Sequence, residues 1–145
     1  MITGSFDQWR RPYVQGRLVI SRLNIDGYID FLVDTGADTT CFHPGDGKRL
    51  GLPFPELRNP SKSEGIGGEQ VYYQEQVRLI FADGRRLRIY VVEVGIAKPD
   101  KDSDTLPSIL GQDILRCWDT HHAPAQNRLD FRVRLADATV RIRDK

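Results

Sequence analysis

The chain of 145 residues contains few of the cysteines and histidines that stabilise small proteins through disulfides or bound metal ions. It has two cysteines and three histidines, and the spacing of Cys41 and Cys117 matches no common zinc pattern. We therefore expect no metal site, no cofactor and two buried thiols in a reducing compartment, although a disulfide stays possible if the two Cα atoms are close. One core at this length buries about two thirds of the unfolded surface, so a single domain over residues 1–145 needs no staple.

Long apolar runs and an excess of one charge are also missing. No run of about 18 apolar residues exists, so we expect no membrane span. The first residues, MITGSFDQWRRPY, lack the apolar core of a signal peptide, and we expect a cytoplasmic protein. The 21 Lys and Arg nearly balance the 20 Asp and Glu, with a net charge of +1, which argues against nucleic-acid binding by bulk electrostatics.

Arginines are frequent near the end of the chain, where they alternate with apolar residues. Alternation of this kind favours a strand with one solvated face over a nucleic-acid patch. We therefore expect neither nucleic acid nor a membrane as a partner. The arginines concerned are Arg128, Arg132, Arg134, Arg141 and Arg143.

Short runs with a period of two dominate what the chain does contain. Residues 17–25 and 28–33 flank Asp26-Gly27, a dipeptide that is typical of tight hairpin turns. A second pair of runs flanks Ala82-Asp83-Gly84-Arg85, and its last strand is rich in β-branched and aromatic residues. These patterns predict two antiparallel hairpins.

The C-terminal third adds one more hairpin and the one helical pattern. Residues 128–143 alternate apolar and charged side chains around a turn at Ala136-Asp137, which predicts an additional C-terminal β-hairpin at about 128–143. Residues 111–118 place Ile114, Leu115 and Trp118 on one stripe of a short helix. The predicted fold class is mostly β, with many short strands that form a closed or nearly closed barrel.

Residues 31–40, FLVDTGADTT, combine features that need an explanation. An apolar strand runs directly into Asp34, followed by a small hydroxyl residue, Gly36 and a second acid, Asp38. A carboxylate at the end of a buried strand is costly unless it is hydrogen-bonded, and a glycine lets another backbone approach closely. Taken alone, the two acids are also compatible with a plain solvated turn.

The sequence Asp34-Thr35-Gly36-Ala37-Asp38-Thr39 resembles the active-site loop of the retropepsin-like aspartic proteases, the family of the retroviral proteases. Three other segments follow in the order of that family. Residues 9–12 resemble its Trp-x-Arg-Pro segment, 64–69 its glycine-rich flap tip, and 108–115 its second signature, an apolar pair, a glycine and a helix. The resemblance covers about residues 9–118. It implies a retropepsin-like closed β-barrel, half of a pepsin, with one short helix and a flap hairpin.

The resemblance departs from the retroviral pattern at one position. Gln112 stands where the retroviral members carry an arginine that braces the acid equivalent to Asp38. A neutral amide cannot form that ion pair. We therefore expect a different bracing network around the loop.

The resemblance implies that Asp34 is the catalytic acid of an aspartic endopeptidase acting on peptide or protein substrates. This chemistry needs two facing carboxylates: one takes a proton from a water that attacks the peptide carbonyl, and the other donates to the carbonyl oxygen. The chain has no second Asp-Thr-Gly or Asp-Ser-Gly. The expected enzyme is therefore a homodimer with twofold symmetry, in which each protomer contributes one Asp34.

The resemblance also implies roles for the neighbouring residues. Thr35 would lock the two loops together across the axis, and Gly36 would allow close backbone contact. An alternative is a non-catalytic peptide-binding or assembly module on the same fold, which Gln112 and the extra hairpin favour and the intact loop opposes. The remaining residues implied to bind substrate are Ala37 and Asp38 in the loop and Gly65, Ile66, Gly67 and Gly68 in the flap.

Overall fold

The structure, a computed structural model, describes residues 1–65, 68–100 and 103–143. In these described residues two helices, α1 (Pro44–Leu50) and α2 (Gln112–Leu115), interrupt a series of strands. Short 3-10 turns lie at Ser21–Leu23, Phe54–Glu56 and Pro124–Gln126. The strands are β1 (Ile2–Thr3), β2 (Ser5–Phe6), β3 (Pro12–Ile20), β4 (Ile25–Val33), β5 (Cys41–Phe42), β6 (Pro60–Gly65), β7 (Gly68–Asp83), β8 (Arg86–Ala97), β9 (Ile109–Leu110), β10 (Trp118–Ala123), β11 (Arg128–Val133) and β12 (Ala138–Arg141).

The main sheet closes on itself as the sequence predicted. Its strand order is β12-β8-β5-β9-β4-β3-β7-β6, and β7 also pairs with β8 along the whole of β8. The strands β3, β4, β9, β5, β8 and β7 therefore form a closed six-stranded barrel, and β6 and β12 extend from it as outer strands. This arrangement confirms the mostly β, retropepsin-like fold class.

Alternate apolar residues of the barrel strands point inward and form the core. A second, three-stranded sheet, β1-β11-β10, packs against this barrel. Trp118 joins the two layers, because its ring lies 4.8 Å from Phe81 and 5.1 Å from Phe131, and its indole N–H donates to Tyr90 Oη at 2.7 Å. The fully buried side chains include Leu18, Ile29, Phe31, Phe42, Leu79, Phe81, Ile96 and Leu110.

The helices differ in part from the sequence-based expectation. The predicted helix at residues 111–118 is present as the four-residue α2, and Trp118 already begins β10. Helix α1 lies where the sequence predicted no helix. Its sequence, PGDGKRL, contains two glycines, which are poor helix formers, and it ends at Gly51 in the left-handed conformation (φ 77°).

The predicted turn at Asp26-Gly27 is wrong. The chain turns earlier, through Ser21–Leu23, and Asn24 closes the turn in the left-handed conformation (φ 54°). Gly27 lies inside β4, where the Leu50 side chain of α1 fills the space that a Cβ would need. The second predicted hairpin is confirmed, since β7 and β8 pair up to Asp83 and Arg86.

The predicted hairpin at about residues 128–143 is also wrong. Strand β11 pairs with β10 and β1, whereas β12 pairs with β8 of the barrel. The segment between the two strands crosses from one sheet to the other. Along this segment the N–H groups of Arg134 and Leu135 donate to Cys117 O. Before β12 begins, the Asp137 carboxylate accepts a hydrogen bond from the Val91 N–H of β8 at 2.7 Å.

Within the described residues, no helix is long and apolar enough to cross a bilayer. Both cysteines are free thiols. The described part of the chain also has no group of three or more His, Cys, Asp or Glu side chains arranged to hold a metal ion.

Candidate active site

Asp34 lies where β4 leaves the barrel core. The neighbouring strand β9 runs parallel to β4, and the Asp34 N–H donates to Leu110 O at 3.1 Å. The turn that follows is tight: the Gly36 N–H donates to Asp34 Oδ1 at 3.0 Å, and the Ala37 N–H donates to Asp34 O at 3.2 Å. The half-buried carboxylate is therefore oriented by its own loop.

The start of α2 holds the other side of this loop. The Gln112 N–H donates to Ala37 O at 2.8 Å, and the Asp113 N–H donates to Asp38 O at 3.1 Å. The first N–H groups of a helix have no partner within the helix, so they are free to bind these carbonyls. The Gln112 side-chain amide donates to Thr35 O at 3.0 Å. Gln112 thus braces the loop backbone in place of an ion pair with Asp38.

A buried polar contact that the sequence reasoning missed fastens the end of the loop. Thr40 is only 1 % exposed, and its N–H and Oγ1 donate to the Asp113 carboxylate at 2.9 and 2.7 Å. The Gly111 N–H in turn donates to Thr40 Oγ1 at 3.2 Å. An acid in the first turn of α2 and a hydroxyl at the end of the loop were the available signals.

Gly111 allows the helix to approach the loop this closely. A Cβ at this position would lie 2.6 Å from the carbonyl carbon and oxygen of Thr39 and 2.9 Å from Ala37 O. Backbone atoms cannot swing aside as a flexible side chain can. The glycine of the second signature is therefore required for packing between α2 and the loop.

The predicted loop residues lie in one turn at the surface. Thr35, Gly36 and Asp38 are exposed, and Ala37 is half-buried. The turn presents their backbone and side chains outward from the barrel, and Asp34 lies at its base. The structure thus brings the five loop residues of the sequence prediction together.

Two of the residues predicted to form a flap, Gly65 and Gly68, lie at the end of the hairpin of β6 and β7. The two strands pair from Pro60 with Tyr73 to Gly65 with Gly68. Ile66 and Gly67, the remaining predicted flap residues, lie outside the described residues. The last described pair consists of two glycines, Gly65 and Gly68, which matches the predicted glycine-rich end of the hairpin.

A cleft of about 390 Å³ separates the loop from this hairpin. It places Ala37 and Asp38 opposite side chains from the two strands of the hairpin. A larger cleft of about 500 Å³ elsewhere on the barrel contains none of the loop residues, so size alone does not identify the site. The smaller cleft is lined by Ala37, Asp38, Thr39, Cys41, His43, Ser61, Tyr72, Gln74, Gly95 and Ile109.

A cysteine and a histidine lie together in this cleft, but their electrostatics oppose cysteine catalysis. Burial raises the pKa of Cys41 to about 12, and its Sγ lies 3.9 Å from His43 Nε2. His43 Nδ1 lies 2.6 Å from Pro107 O, which assigns the ring proton to Nδ1. Burial lowers the pKa of His43. A neutral imidazole beside a protonated thiol is not an activated nucleophile.

Comparisons with known proteins agree with this geometry. Residues 21–114, more than half of the chain, match a family model described as aspartyl protease. A crystal structure of a retropepsin-like aspartic protease from Rickettsia conorii is similar, with 17% identity over 88% of this chain and 95% of that chain and a TM-score of 0.60. EIAV protease complexed with the inhibitor HBY-793 matches with 21% identity over 77% of this chain and 91% of that chain, with a TM-score of 0.47. No match is found among curated proteins. The barrel, the loop and the extent of the family match together place this chain in the aspartyl protease family, with a retropepsin-like fold.

Proposed function

We propose that the protein is an aspartic endopeptidase that acts as a homodimer with one catalytic Asp34 in each protomer. The observation that carries this proposal is the position of Asp34, at the end of β4 in a turn that α2 clamps. The chain has one Asp-Thr-Gly sequence, whereas the reaction needs two carboxylates. A second copy of the chain supplies the missing one.

In the proposed mechanism the two Asp34 carboxylates face each other across the twofold axis. Two like charges about 3 Å apart cannot both be ionised, so the pair holds one proton. The ionised Asp34 takes a proton from a water, and the resulting nucleophile attacks the peptide carbonyl carbon. The protonated Asp34 donates its proton to the carbonyl oxygen, which completes the tetrahedral intermediate.

The loop residues and the hairpin would hold the substrate. The exposed Thr35 is available to contact the loop of the partner, and Gly36 leaves room for the substrate backbone. Ala37 and Asp38 line the cleft, where they would bind the main chain of an extended peptide. The hairpin end, with Gly65, Ile66, Gly67 and Gly68, would cover the peptide and open to release it.

The clamp on the loop supports catalysis through positioning. Hydrogen bonds to the loop carbonyls from Gln112 and Asp113 fix the backbone, and the Gly36 N–H fixes one oxygen of Asp34. A fixed carboxylate can align a water without paying for reorganisation at each turnover. The fold therefore suits a carboxylate that must face the Asp34 of the second protomer in a fixed orientation.

The replacement Asp34→Asn tests the proposal. An unbiased peptide library at mildly acidic pH serves as substrate, and the rate of cleavage is measured by mass spectrometry. We expect the rate to fall by about 10²- to 10⁴-fold, because an amide cannot exchange the proton. The matched control, Asp30→Asn, makes the same change at an exposed position of β4 and should cleave at the wild-type rate.

Two results would oppose the proposal in different ways. Unchanged cleavage by D34N would show that Asp34 is not the catalytic acid. Peptide binding without turnover by the wild-type protein would favour a non-catalytic peptide-binding module on the same fold.

A further inference from the structure

Four arginines from two distant segments of the sequence line one cleft of about 370 Å³. Arg86 and Arg88 belong to β8, Arg132 belongs to β11, and Arg134 follows β11. We call this feature the arginine cleft; Met1, Asp83 and Val133 complete its lining. The alternating pattern of the C-terminal arginines indicated a solvated strand face. The structure agrees, since Arg132 and Arg134 are exposed, and it also brings these two residues to the same cleft as two arginines of the barrel.

The positive charge of the arginine cleft is only partly balanced. Asp83 is its one lining carboxylate among the described residues, and it already binds Arg88 Nε at 2.8 Å and the Met1 amino group at 2.9 Å. Burial raises the pKa of Asp83, but these hydrogen bonds outweigh burial and hold the pKa below its usual value. Asp83 therefore remains ionised and has little capacity for a further cation.

A second carboxylate near the cleft is also occupied. Asp119 stands opposite Arg132 in the β10–β11 ladder, yet its carboxylate binds Arg134 at 2.6 Å. No described carboxylate forms an ion pair with Arg86 or Arg132, and both side chains are exposed. Two of the arginines that line the cleft therefore have no carboxylate partner among the described residues.

The strand register adds a further unbalanced charge at the edge of the cleft. Arg86 lies directly opposite Arg141 in the β8–β12 ladder. Like charges at directly opposed positions destabilise a sheet. A bound anion would offset this repulsion, whereas solvent alone only screens it.

The shape and charge of the cleft define the ligand class. A guanidinium group binds oxyanions through two parallel hydrogen bonds, and these arginines approach from β8, β11 and the segment after β11. A compact ligand with oxygens on several sides fits this arrangement better than a single carboxylate does. The net charge of +1 for the whole chain opposes the binding of a long polyanion.

We propose that the arginine cleft binds a compact multivalent oxyanion of the diphosphate class, with Arg86 and Arg132 as the principal ligands. None of its lining residues belongs to the Asp34 loop or to the β6–β7 hairpin. The proposal is therefore independent of the proposed peptidase activity and is tested without a substrate peptide.

Calorimetric titration with inorganic pyrophosphate at constant ionic strength tests the proposal. The wild-type protein should bind saturably, and R86Q/R132Q should bind about tenfold more weakly or worse. The matched control, R58Q/R78Q, removes two charges from arginines that line the larger cleft, and it should retain the wild-type Kd. A parallel titration with ADP separates the sources: tighter binding than pyrophosphate assigns the anion to a nucleotide, and equal or weaker binding assigns it to free diphosphate.

A second measurement avoids substitutions altogether. In the wild-type protein, the Nε–Hε resonances of Arg86 and Arg132 should shift during the pyrophosphate titration, and those of Arg58 and Arg78 should not. Absence of saturable binding, an equal loss of affinity in both double variants, or tighter binding of a DNA or RNA oligonucleotide than of pyrophosphate would overturn the proposal.

Discussion

The Asp34 loop and the β6–β7 hairpin face each other across one cleft, but they are held in different ways. Carbonyls of the loop at Thr35, Ala37 and Asp38 accept hydrogen bonds from the first two residues of α2. The loop is thereby tied to a helix that is itself packed against the barrel, since Ile114 and Leu115 are buried. Opening the loop would break these contacts together.

The hairpin depends mainly on its own ladder. Strand β6 is the last strand of the main sheet, and the described pairings of Gly68, Glu69 and Gln70 are all with β6. Farther along β7, the pairing with β8 begins at Tyr72. The outer part of the hairpin therefore has one neighbour where a barrel strand has two.

This difference shows how one small barrel can fix a loop firmly and leave the neighbouring hairpin freer to move. Regions with few buried contacts open with less free energy than regions tied to a core. We expect amides of the outer hairpin to exchange with solvent faster than those of Ala37 and Thr40. In the proposed enzyme, substrate entry would then move the hairpin and leave the Asp34 geometry unchanged.

The largest effect is expected from a change at Gly111 that removes the tight packing of α2 against the Asp34 loop. In Gly111→Ala the new methyl group would collide with the Thr39 backbone, and we expect the free energy of unfolding to fall by about 3 kcal/mol. Urea denaturation measures this loss. As a control, Gly95→Ala places its methyl group 3.4 Å or more from the nearest atoms, all of Tyr72, and should change stability much less. Equal stability of G111A and the wild type would contradict the clamp.

A second change acts at the base of the hairpin, where Arg22 connects β7 to the 3-10 turn that precedes β6. Arg22 binds the Glu75 carboxylate of β7 through two contacts of 2.8 Å and donates to Glu56 O, just before β6, at 3.2 Å. Hydrogen bonds from Arg22 lower the pKa of Glu75 below its usual value of 4.5, although burial opposes the shift. The stabilisation is therefore present above pH 4.5 and lost as the pH falls through the lowered pKa.

Glu75→Gln should remove this pH dependence. The free energy of unfolding of the wild type should fall more steeply between about pH 5 and pH 3 than that of E75Q. Asp26→Asn is the matched control, because Asp26 forms a similar pair with Arg17 at an exposed site and should flatten the curve less. Parallel curves for E75Q and the wild type would show that Arg22 does not anchor the hairpin through Glu75.

The smallest expected effect concerns Gln112. Gln112→Ala removes the hydrogen bond to Thr35 O but keeps the backbone bond to Ala37 O. We expect a loss of about 1 kcal/mol or less in the free energy of unfolding and faster amide exchange at Ala37, with exchange of the hairpin unchanged. Gln15→Ala, whose amide makes a long contact of 3.4 Å with Asp30, serves as the control. Faster amide exchange confined to the hairpin would show that Gln112 stabilises the hairpin and not the Asp34 loop.

The sequence predicted the parts of this structure that depend on residue identity and local period. The alternation of apolar residues predicted the barrel, and the Asp34 loop and Gly111 were recognisable as motifs. The Ala82–Arg85 turn was also predicted, because Gly84 supplies the positive φ of 60° that such a turn favours.

The parts that the sequence did not predict depend on contacts between distant residues. Asp26-Gly27 has the composition of a turn, yet Leu50 of α1 uses the space at Gly27. Strands β11 and β12 belong to different sheets. The segment between them is held by hydrogen bonds from the N–H groups of Arg134 and Leu135 to Cys117 O. The Thr40–Asp113 contact joins residues 73 positions apart. The sequence shows the hydroxyl and the acid separately, but no local pattern indicates that they pair.

Mixing wild-type protein with D34N tests the central claim, that two chains each supply one Asp34. Peptide cleavage per wild-type chain is measured after subunit exchange, with D30N as the control for added protein. If only dimers of two wild-type chains are active, equal mixing should lower the activity per wild-type chain to about one half, and a large excess of D34N should nearly abolish it. Constant activity per wild-type chain at every ratio would show that one chain carries a complete site and would contradict the account.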